Sequence, residues 1–425
     1  MSQMFIAIII LILVIISFAT QIIPLPLTAI LGSLAMMAAG IITPDEAISA
    51  FGSDTVMMVA GVIIVGNAVF ETGFADRIGN AVFKIKAVQN SERVFLLVIM
   101  TMITILSAFI SNSAAIAMFM PLVSSIAKAS NGKIQKKNCY MGMAIASIVG
   151  GFCTLSGSSP QLVAQELLNQ TDGLRGMTYF ELAKIGIPIV LLMLLYFGTI
   201  GYQLQKKCFT FPETNYVEIP AGKQAKAAGH KDIIAGAILL LCVTGFVSGI
   251  FSFGTVALLG ACACILTGCI CLNRAYETMD WSTLIVLGGS IGFAKGMEKS
   301  GTVGVIANLL VEACGNGQAN PAIVCAVLIF IAAVLSNVMS NTATVALLAP
   351  LAIDVALNMG VDPIIFVISI VVASNLAFTT PISTPPMTMI LVGGYRFSDY
   401  VKVGGLFNLI AVIFAMVLIP IIYGL

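Results

Sequence analysis

Ser111-Asn112-Ser113-Ala114-Ala115-Ile116-Ala117-Met118-Phe119-Met120-Pro121-Leu122 occurs a second time, as Ser340-Asn341-Thr342-Ala343-Thr344-Val345-Ala346-Leu347-Leu348-Ala349-Pro350-Leu351. The copies align without a gap, every pair 229 positions apart. In each, two polar residues and a hydroxyl interrupt a long apolar run. An unpaired amide or hydroxyl in lipid costs several kcal/mol, so these groups face protein, water or a ligand. A helix-packing patch of small polar residues would explain one copy. Two copies in register favour a site.

The rest of the chain says what surrounds that pair. It is 59% hydrophobic and 9% charged, against about 25% charged in an average chain. Apolar runs of about 20 residues recur throughout, the mark of a polytopic helical membrane protein. They do not alternate apolar with polar, which excludes a membrane barrel. The net charge is +1 and there is no basic domain, so no nucleic-acid partner is expected. Met1-Ser2-Gln3-Met4 carries no Lys or Arg, so the first apolar segment reads as a retained span rather than a secretory signal. The ten cysteines lie mostly in apolar segments, which argues against a disulfide framework. Cys262, Cys264, Cys269 and Cys271 resemble a metal cluster. At about 100° per residue a helix would put Cys262 and Cys269 on one face and Cys264 and Cys271 on the other. They read as packing residues.

The two copies sit in matching surroundings. Val94 to Ala127 is 34 residues without a charge. That is about 50 Å of helix, too long for one crossing of about 30 Å and short for two. A re-entrant hairpin with its tip at Ser111-Asn112-Ser113 resolves the mismatch, because broken backbone is tolerated where it lines a cavity. Pro321 to Ile353 repeats the pattern around Ser340-Asn341-Thr342. After each hairpin an apolar span breaks: at Thr154-Leu155-Ser156-Gly157-Ser158-Ser159-Pro160, and at Thr379-Thr380-Pro381-Ile382-Ser383-Thr384-Pro385-Pro386. Before each hairpin an interfacial helix is expected, over 74–88 and 301–315. Thr178-Tyr179-Phe180-Glu181 is a capping box that opens a span over about 180–204.

The chain therefore divides into a first half (1–205), a polar cytoplasmic linker (206–231) and a second half (232–425), with ten spans in all. Five crossings separate the hairpins, so they enter from opposite faces. This is an inverted-topology repeat, a common plan of secondary transporters. If the first hairpin enters from the cytoplasm, sixteen of the twenty Lys and Arg are cytoplasmic and both termini are external. Cys139 and Cys208 should then label from the cytoplasm. Glu71 and Glu298 read as interfacial acids or helix-end charges rather than proton carriers, and Trp281 as an interfacial anchor.

The centre holds Ser, Thr, Asn, Gly and Pro but no Lys, Arg or His. Ser107 and Ser111 lie one helical turn apart, as do Ser336 and Ser340. Hydroxyl, amide and freed carbonyl oxygens suit Na⁺. The second helix of each hairpin starts at the tip, where its N–H groups favour an anion. Cation cages beside helix N-termini suit a cation-coupled anion carrier. An enzyme is not expected. One His cannot make the His-Glu-x-x-His of a zinc protease, and Asp54 and Asp354, as a protease pair, fall near span ends.

The paired tips, Gly150-Gly151 with Thr154 and Gly157-Ser158-Ser159-Pro160, and Ser383-Thr384-Pro385-Pro386 resemble the divalent-anion:sodium symporter family of the ion-transporter superfamily. The likeness runs from about residue 40 to near the end. It implies a homodimer in a prokaryotic inner membrane, carrying a di- or tricarboxylate or sulfate by an elevator motion. Sodium is then the coupling ion. The resemblance implies that Ser107, Ser111, Asn112 and Gly157 line one sodium site, and Ser336, Asn341 and Ser383 a second. It implies that Asn112, Ser113, Ser158, Asn341, Thr342, Thr384 and Pro385 meet the substrate. The sequence departs from the family at three places. Ser113 stands where Thr is usual, Gln161 and Met387 stand where Asn follows Pro, and only two spans precede the Glu71 region. A sodium-independent anion exchanger of the same fold, or another carrier of the superfamily, would use the same motifs.

Overall fold

The computed structural model describes residues 3–20, 22–73, 91–130, 132–171, 173–211, 230–315, 320–381 and 383–425. The chain is an all-α polytopic membrane protein, helical throughout the described residues apart from turns and short connections. The first half holds α1 (Gln3–Thr20), α2 (Leu25–Ala38), α3 (Asp54–Glu71), α4 (Glu92–Ser107), α5 (Asn112–Ala129), α6 (Lys136–Gly151), α7 (Ser159–Gln170), α8 (Ala183–Gly198) and α9 (Ile200–Cys208). The second holds α10 (Lys231–Ser248), α11 (Phe253–Leu266), α12 (Trp281–Lys299), α13 (Thr302–Gly315), α14 (Pro321–Ser336), α15 (Asn341–Met359), α16 (Pro363–Asn375), α17 (Pro385–Met389) and α18 (Gly405–Tyr423).

The sequence offset survives in the helix boundaries. Helix α4 ends at Ser107 and α5 begins at Asn112, while α14 ends at Ser336 and α15 begins at Asn341. Each tip is closed by the same device. Ser111 Oγ accepts from Ala114 N at 3.2 Å, and Ser340 Oγ from Ala343 N at 3.2 Å. An N-cap hydroxyl satisfies one orphan N–H of the new helix. The expected breaks fall between α6 and α7 and between α16 and α17.

Packing pairs the halves crosswise. Helix α11 lies along α3, and α2 lies along α12. A Cβ on Gly61 would stand 2.4 Å from the carbonyl carbon of Ala257, and one on Gly289 would stand 2.8 Å from that of Ala29. Both residues of the second contact are related to the first by 228 positions, with the halves exchanged. Small residues let helix backbones approach this closely.

Several elements differ from expectation. Among the described residues, four helical stretches are long and apolar enough to cross a membrane alone, at Pro44–Glu71, Lys231–Ser248, Asn341–Met359 and Phe397–Tyr423. The α8–α9 pair makes a fifth, against the ten spans expected. Other apolar helices, such as Leu25–Ala38 and Pro363–Asn375, are shorter because Pro and polar breaks interrupt them. The span expected over 180–204 bends by 51° where α8 meets α9, at Thr199. Its capping box is half made. Thr178 N donates to Glu181 Oε2 at 2.9 Å, but the long helix starts only at Ala183. Burial opposes charge on Glu181, and the Arg175 guanidinium and the Thr178 N–H outweigh it, holding the carboxyl below its usual range. The helix expected over 301–315 is α13, while 74–88 and most of the linker lie outside the described residues.

The cysteine reading is corrected too. Helix α11 stops at Leu266 and Gly268 turns left-handed, so Cys269 and Cys271 are not on its wheel. Cys264 and Cys269 are the buried pair, and Cys262 and Cys271 are exposed. Cys139 is fully buried and Cys208 half-buried, so neither is a good labelling site. Exposed Cys271 replaces them, since the charge asymmetry puts its loop, with Arg274, in the cytoplasm. In inside-out vesicles, an impermeant maleimide is expected to label Cys271 and miss a tag placed after Leu425. The opposite pattern reverses the orientation. Glu71, at the end of α3, is paired with Arg274 on the short helix Leu272–Glu277 that follows α11.

Candidate functional site

Two oxygen clusters form at the tips. In the first, fully buried Ser107 places Oγ 2.7 Å from Asn112 Oδ1 and 2.7 Å from the Ser147 carbonyl. In the second, fully buried Ser336 places Oγ 2.6 Å from Asn341 Oδ1 and 2.6 Å from the Ser374 carbonyl. A hydroxyl has one proton and each of these faces two acceptors at bonding distance. With both amide oxygens turned inward, each cluster is one positive centre short. At the first tip the amide end of Asn112 also faces the Gly157 carbonyl at 3.3 Å. Turning its nitrogen inward relieves the shortage, with contacts of 2.7 Å to Ser107 Oγ and 2.9 Å to the Ser147 carbonyl. A cation among the same oxygens would turn the amide oxygen inward instead. All the ligands are neutral oxygens, which suits a hard monovalent ion.

Close backbone approach builds the first cluster. A Cβ on Gly151 would fall 2.1 Å from Asn112 Oδ1, and one on Gly157 would fall 2.2 Å from the Gly151 carbonyl oxygen. Here the permissive residue is needed for space. Each break is tied to the tip of its own half. Thr154 Oγ1 donates to the Ala108 carbonyl. Thr379 N donates to Asn337 Oδ1 at 3.1 Å and Thr380 Oγ1 to the Asn337 carbonyl at 3.1 Å. Gln161 is fully buried, and its Nε2 braces the first break, donating to the carbonyls of Gly151 at 2.9 Å and Thr154 at 3.0 Å. Met387 has no such group. In the second break Ser383 Oγ donates to the Ala377 carbonyl at 2.7 Å.

Two of the hydroxyls expected to meet substrate, Ser158 and Thr384, are the N-caps of the helices after the breaks, and neither is spent on capping. Ser158 precedes α7 and Thr384 precedes α17, with matching extended backbones and no side-chain cap bond. Thr384 Oγ1 is buried and has no partner among the described residues. Ser158 Oγ donates across the halves to Asn375 Oδ1 at 3.3 Å. Ser113 and Thr342 are half-buried at the first turns of α5 and α15. Two expected residues stand apart. Ser111 is exposed with its hydroxyl engaged as a cap, and Pro385 is exposed.

Sequence reasoning missed Ser147, Ser374 and Asn375, and noted Gln161 only as a departure from the family pattern. The first two act through backbone carbonyls, which composition does not flag. A repeated Ala-Ser pair, Ala146-Ser147 and Ala373-Ser374, was the available signal.

The family model described as citrate transporter matches residues 9–369, most of the chain. The chain belongs to the citrate transporter family. Among its relatives is an uncharacterized transporter of Haemophilus influenzae, 28% identical over 91% of this chain and 85% of that protein. The sodium-dependent dicarboxylate transporter SdcS of Staphylococcus aureus is 23% identical over 96% of this chain and 84% of its own length. An uncharacterized transporter of Methanocaldococcus jannaschii is 24% identical over 72% of the chain and 68% of its own. The resemblance to the divalent-anion:sodium symporters is borne out. The family and these relatives are transporters rather than enzymes, and the protein is a membrane transporter of a small anion.

Proposed function

We propose that this citrate transporter family member is a sodium-coupled symporter of a small divalent or polyvalent anion, a di- or tricarboxylate or sulfate. It works as a homodimer in a prokaryotic inner membrane, by an elevator motion of a domain carrying both tips. The observation that carries the reading is the pair of equivalent clusters at the tips, each setting a buried serine hydroxyl between an asparagine amide and a backbone carbonyl. An S. aureus relative described as a sodium-dependent dicarboxylate transporter supports it. Sodium fills each cluster, lined by Ser107, Asn112 and Gly157 in one and by Ser336, Asn341 and Ser383 in the other. Ser111 belongs to the first site only through the turn it caps. Ser113, Ser158, Thr342 and Thr384 give hydroxyls to the anion, between the N-termini of α5 and α15. The crosswise α2–α12 and α3–α11 pairing supports an inverted repeat with the two halves exchanged.

Uptake of labelled succinate, citrate and sulfate into proteoliposomes is the test. For the transported anion, uptake is expected to follow an inward sodium gradient and to stop when potassium replaces sodium. Ser107→Ala and Ser336→Ala should weaken sodium dependence more than anion choice. Thr342→Ala and Thr384→Ala should do the reverse. Uptake that ignores sodium and requires an anion inside the vesicles makes the protein an exchanger.

A further inference from the structure

We infer that Asn375 is a specificity-determining residue: by holding the Ser158 proton it turns that hydroxyl into an acceptor, selecting anions that carry a hydroxyl donor. The inference rests on the symport reading, which puts Ser158 against the substrate. Asn375 ends α16 and is fully buried. Its Nδ2 donates to the Val371 carbonyl at 2.8 Å, and its Oδ1 accepts from Ser158 Oγ at 3.3 Å. The Val371 carbonyl only accepts, so the amide nitrogen stays on that side. Turning the amide over would set two acceptors face to face. Asn375 therefore always shows Ser158 an oxygen.

That arrangement exists once. The Ser147 and Ser374 carbonyls are equivalent, each accepting from a tip-cluster serine. The residue after Ser147 is Ile148, so Asn375 has an apolar counterpart. Thr384, the partner hydroxyl of Ser158, is buried without a protein partner among the described residues. One site thus offers two different hydroxyls. Thr384 is free to donate to a carboxylate oxygen. The Ser158 proton is drawn toward Asn375, which leaves its lone pairs for the ligand. A carboxylate oxygen there meets lone pairs, whereas a ligand hydroxyl can donate to them. A site built to hydrogen-bond a substrate hydroxyl discriminates strongly against the analogue lacking it. At 3.3 Å the Ser158–Asn375 bond is long for O–H···O. It biases the proton rather than fixing it, so a preference of about tenfold is expected, not the larger factors of fully committed sites.

The experiment measures binding to purified protein in saturating sodium, using malate against succinate and citrate against tricarballylate. Each pair differs by one hydroxyl. Wild type should favour the hydroxylated member by about tenfold. Asn375→Ile, which copies Ile148, and Asn375→Ala, which adds no bulk, should each bring that ratio near one. Ser158→Ala should do the same, and adding it to Asn375→Ala should change the ratio no further. A loss of packing alone would weaken both members equally and leave the ratio standing. If Asn375→Ile fails to fold, Asn375→Ala decides. A wild-type ratio near one, or a ratio unmoved in Asn375→Ala, overturns the inference. So does sodium-dependent binding of sulfate alone, which leaves the symport reading intact. Binding that ignores sodium, with the ratio and its loss as described, overturns symport and leaves the role of Asn375.

Discussion

Asn112→Ala or Asn341→Ala is expected to uncouple anion binding from sodium. No Lys, Arg or His occurs in 94–127, 138–174 or 321–395, the segments that build the tips and breaks. A dianion held there needs positive charge from elsewhere. Two helix N-termini supply about half a charge each, and under the symport proposal two sodium ions would supply the remainder. Anion affinity should then rise with sodium, and sodium affinity with anion, by the same factor. Removing an asparagine takes an amide from a buried cluster whose other members are a serine hydroxyl and carbonyls. A buried group left without its partner costs about 1–3 kcal/mol. Typical coupling energies are also about 1–3 kcal/mol. One substitution is therefore large enough to erase most of the coupling, roughly tenfold or more in anion affinity at high sodium. Calorimetric titration of the anion across a sodium series measures it. Undiminished sodium dependence in both variants would remove the tips from the ion sites, and wild-type affinity flat in sodium would remove symport.

The tips were legible because their signal is local. A polar triplet inside an apolar run must break or line something, and a gapless repeat at 229 positions rules out accident. The structure keeps that offset in the helix ends at Ser107 and Ser336 and the helix starts at Asn112 and Asn341. The breaks were legible for the same reason, since Gly, Pro and hydroxyls crowd into a few positions. What stayed hidden depends on partners far away in the chain. Asn375 sits in an apolar run and acquires meaning only when Ser158, 217 residues earlier, packs against it. The Ser147 and Ser374 contributions are carbonyls, whose exposure depends on how the backbone opens. The family resemblance implies Ser111 as an ion ligand, and the structure shows that its hydroxyl also caps the new helix, a second task that the sequence does not display. The cysteine faces were misjudged because a helical wheel assumes the helix continues, and α11 stops at Leu266.

Gly61→Ala is expected to cost the fold rather than the site. Its new Cβ would stand 2.4 Å from the Ala257 carbonyl carbon, 2.6 Å from its oxygen and 2.7 Å from its Cβ. Backbone atoms of a packed helix cannot rotate away, so α3 and α11 must separate along their seam. The seam is pinned at its start by the Asp54 carboxylate accepting from Gly254 N at 3.1 Å, and the far end of α3 is tied through Glu71 to Arg274, on the short helix Leu272–Glu277 that follows α11. Separation therefore strains the pins as well as the packing. Overpacking of a core costs about 1–3 kcal/mol where side chains can adjust, and a backbone contact lies at or above the top of that range. Gly289→Ala meets the equivalent seam at 2.8 Å and should cost less. Gly52→Ala has nothing within 4 Å and should be close to neutral. Gly151→Ala differs in kind, because its clash at 2.1 Å is with the end of the Asn112 side chain. That group can swing aside, so the variant should fold and lose sodium response at the first cluster. Thermal unfolding in detergent, read with sodium titration, separates the two outcomes. The expected order of melting temperature is Gly52→Ala, then Gly289→Ala, then Gly61→Ala, with Gly151→Ala near wild type but blunted toward sodium. A Gly61→Ala protein that melts with the wild type would mean that the α3–α11 seam is not the close backbone contact on which the crosswise pairing of the halves depends.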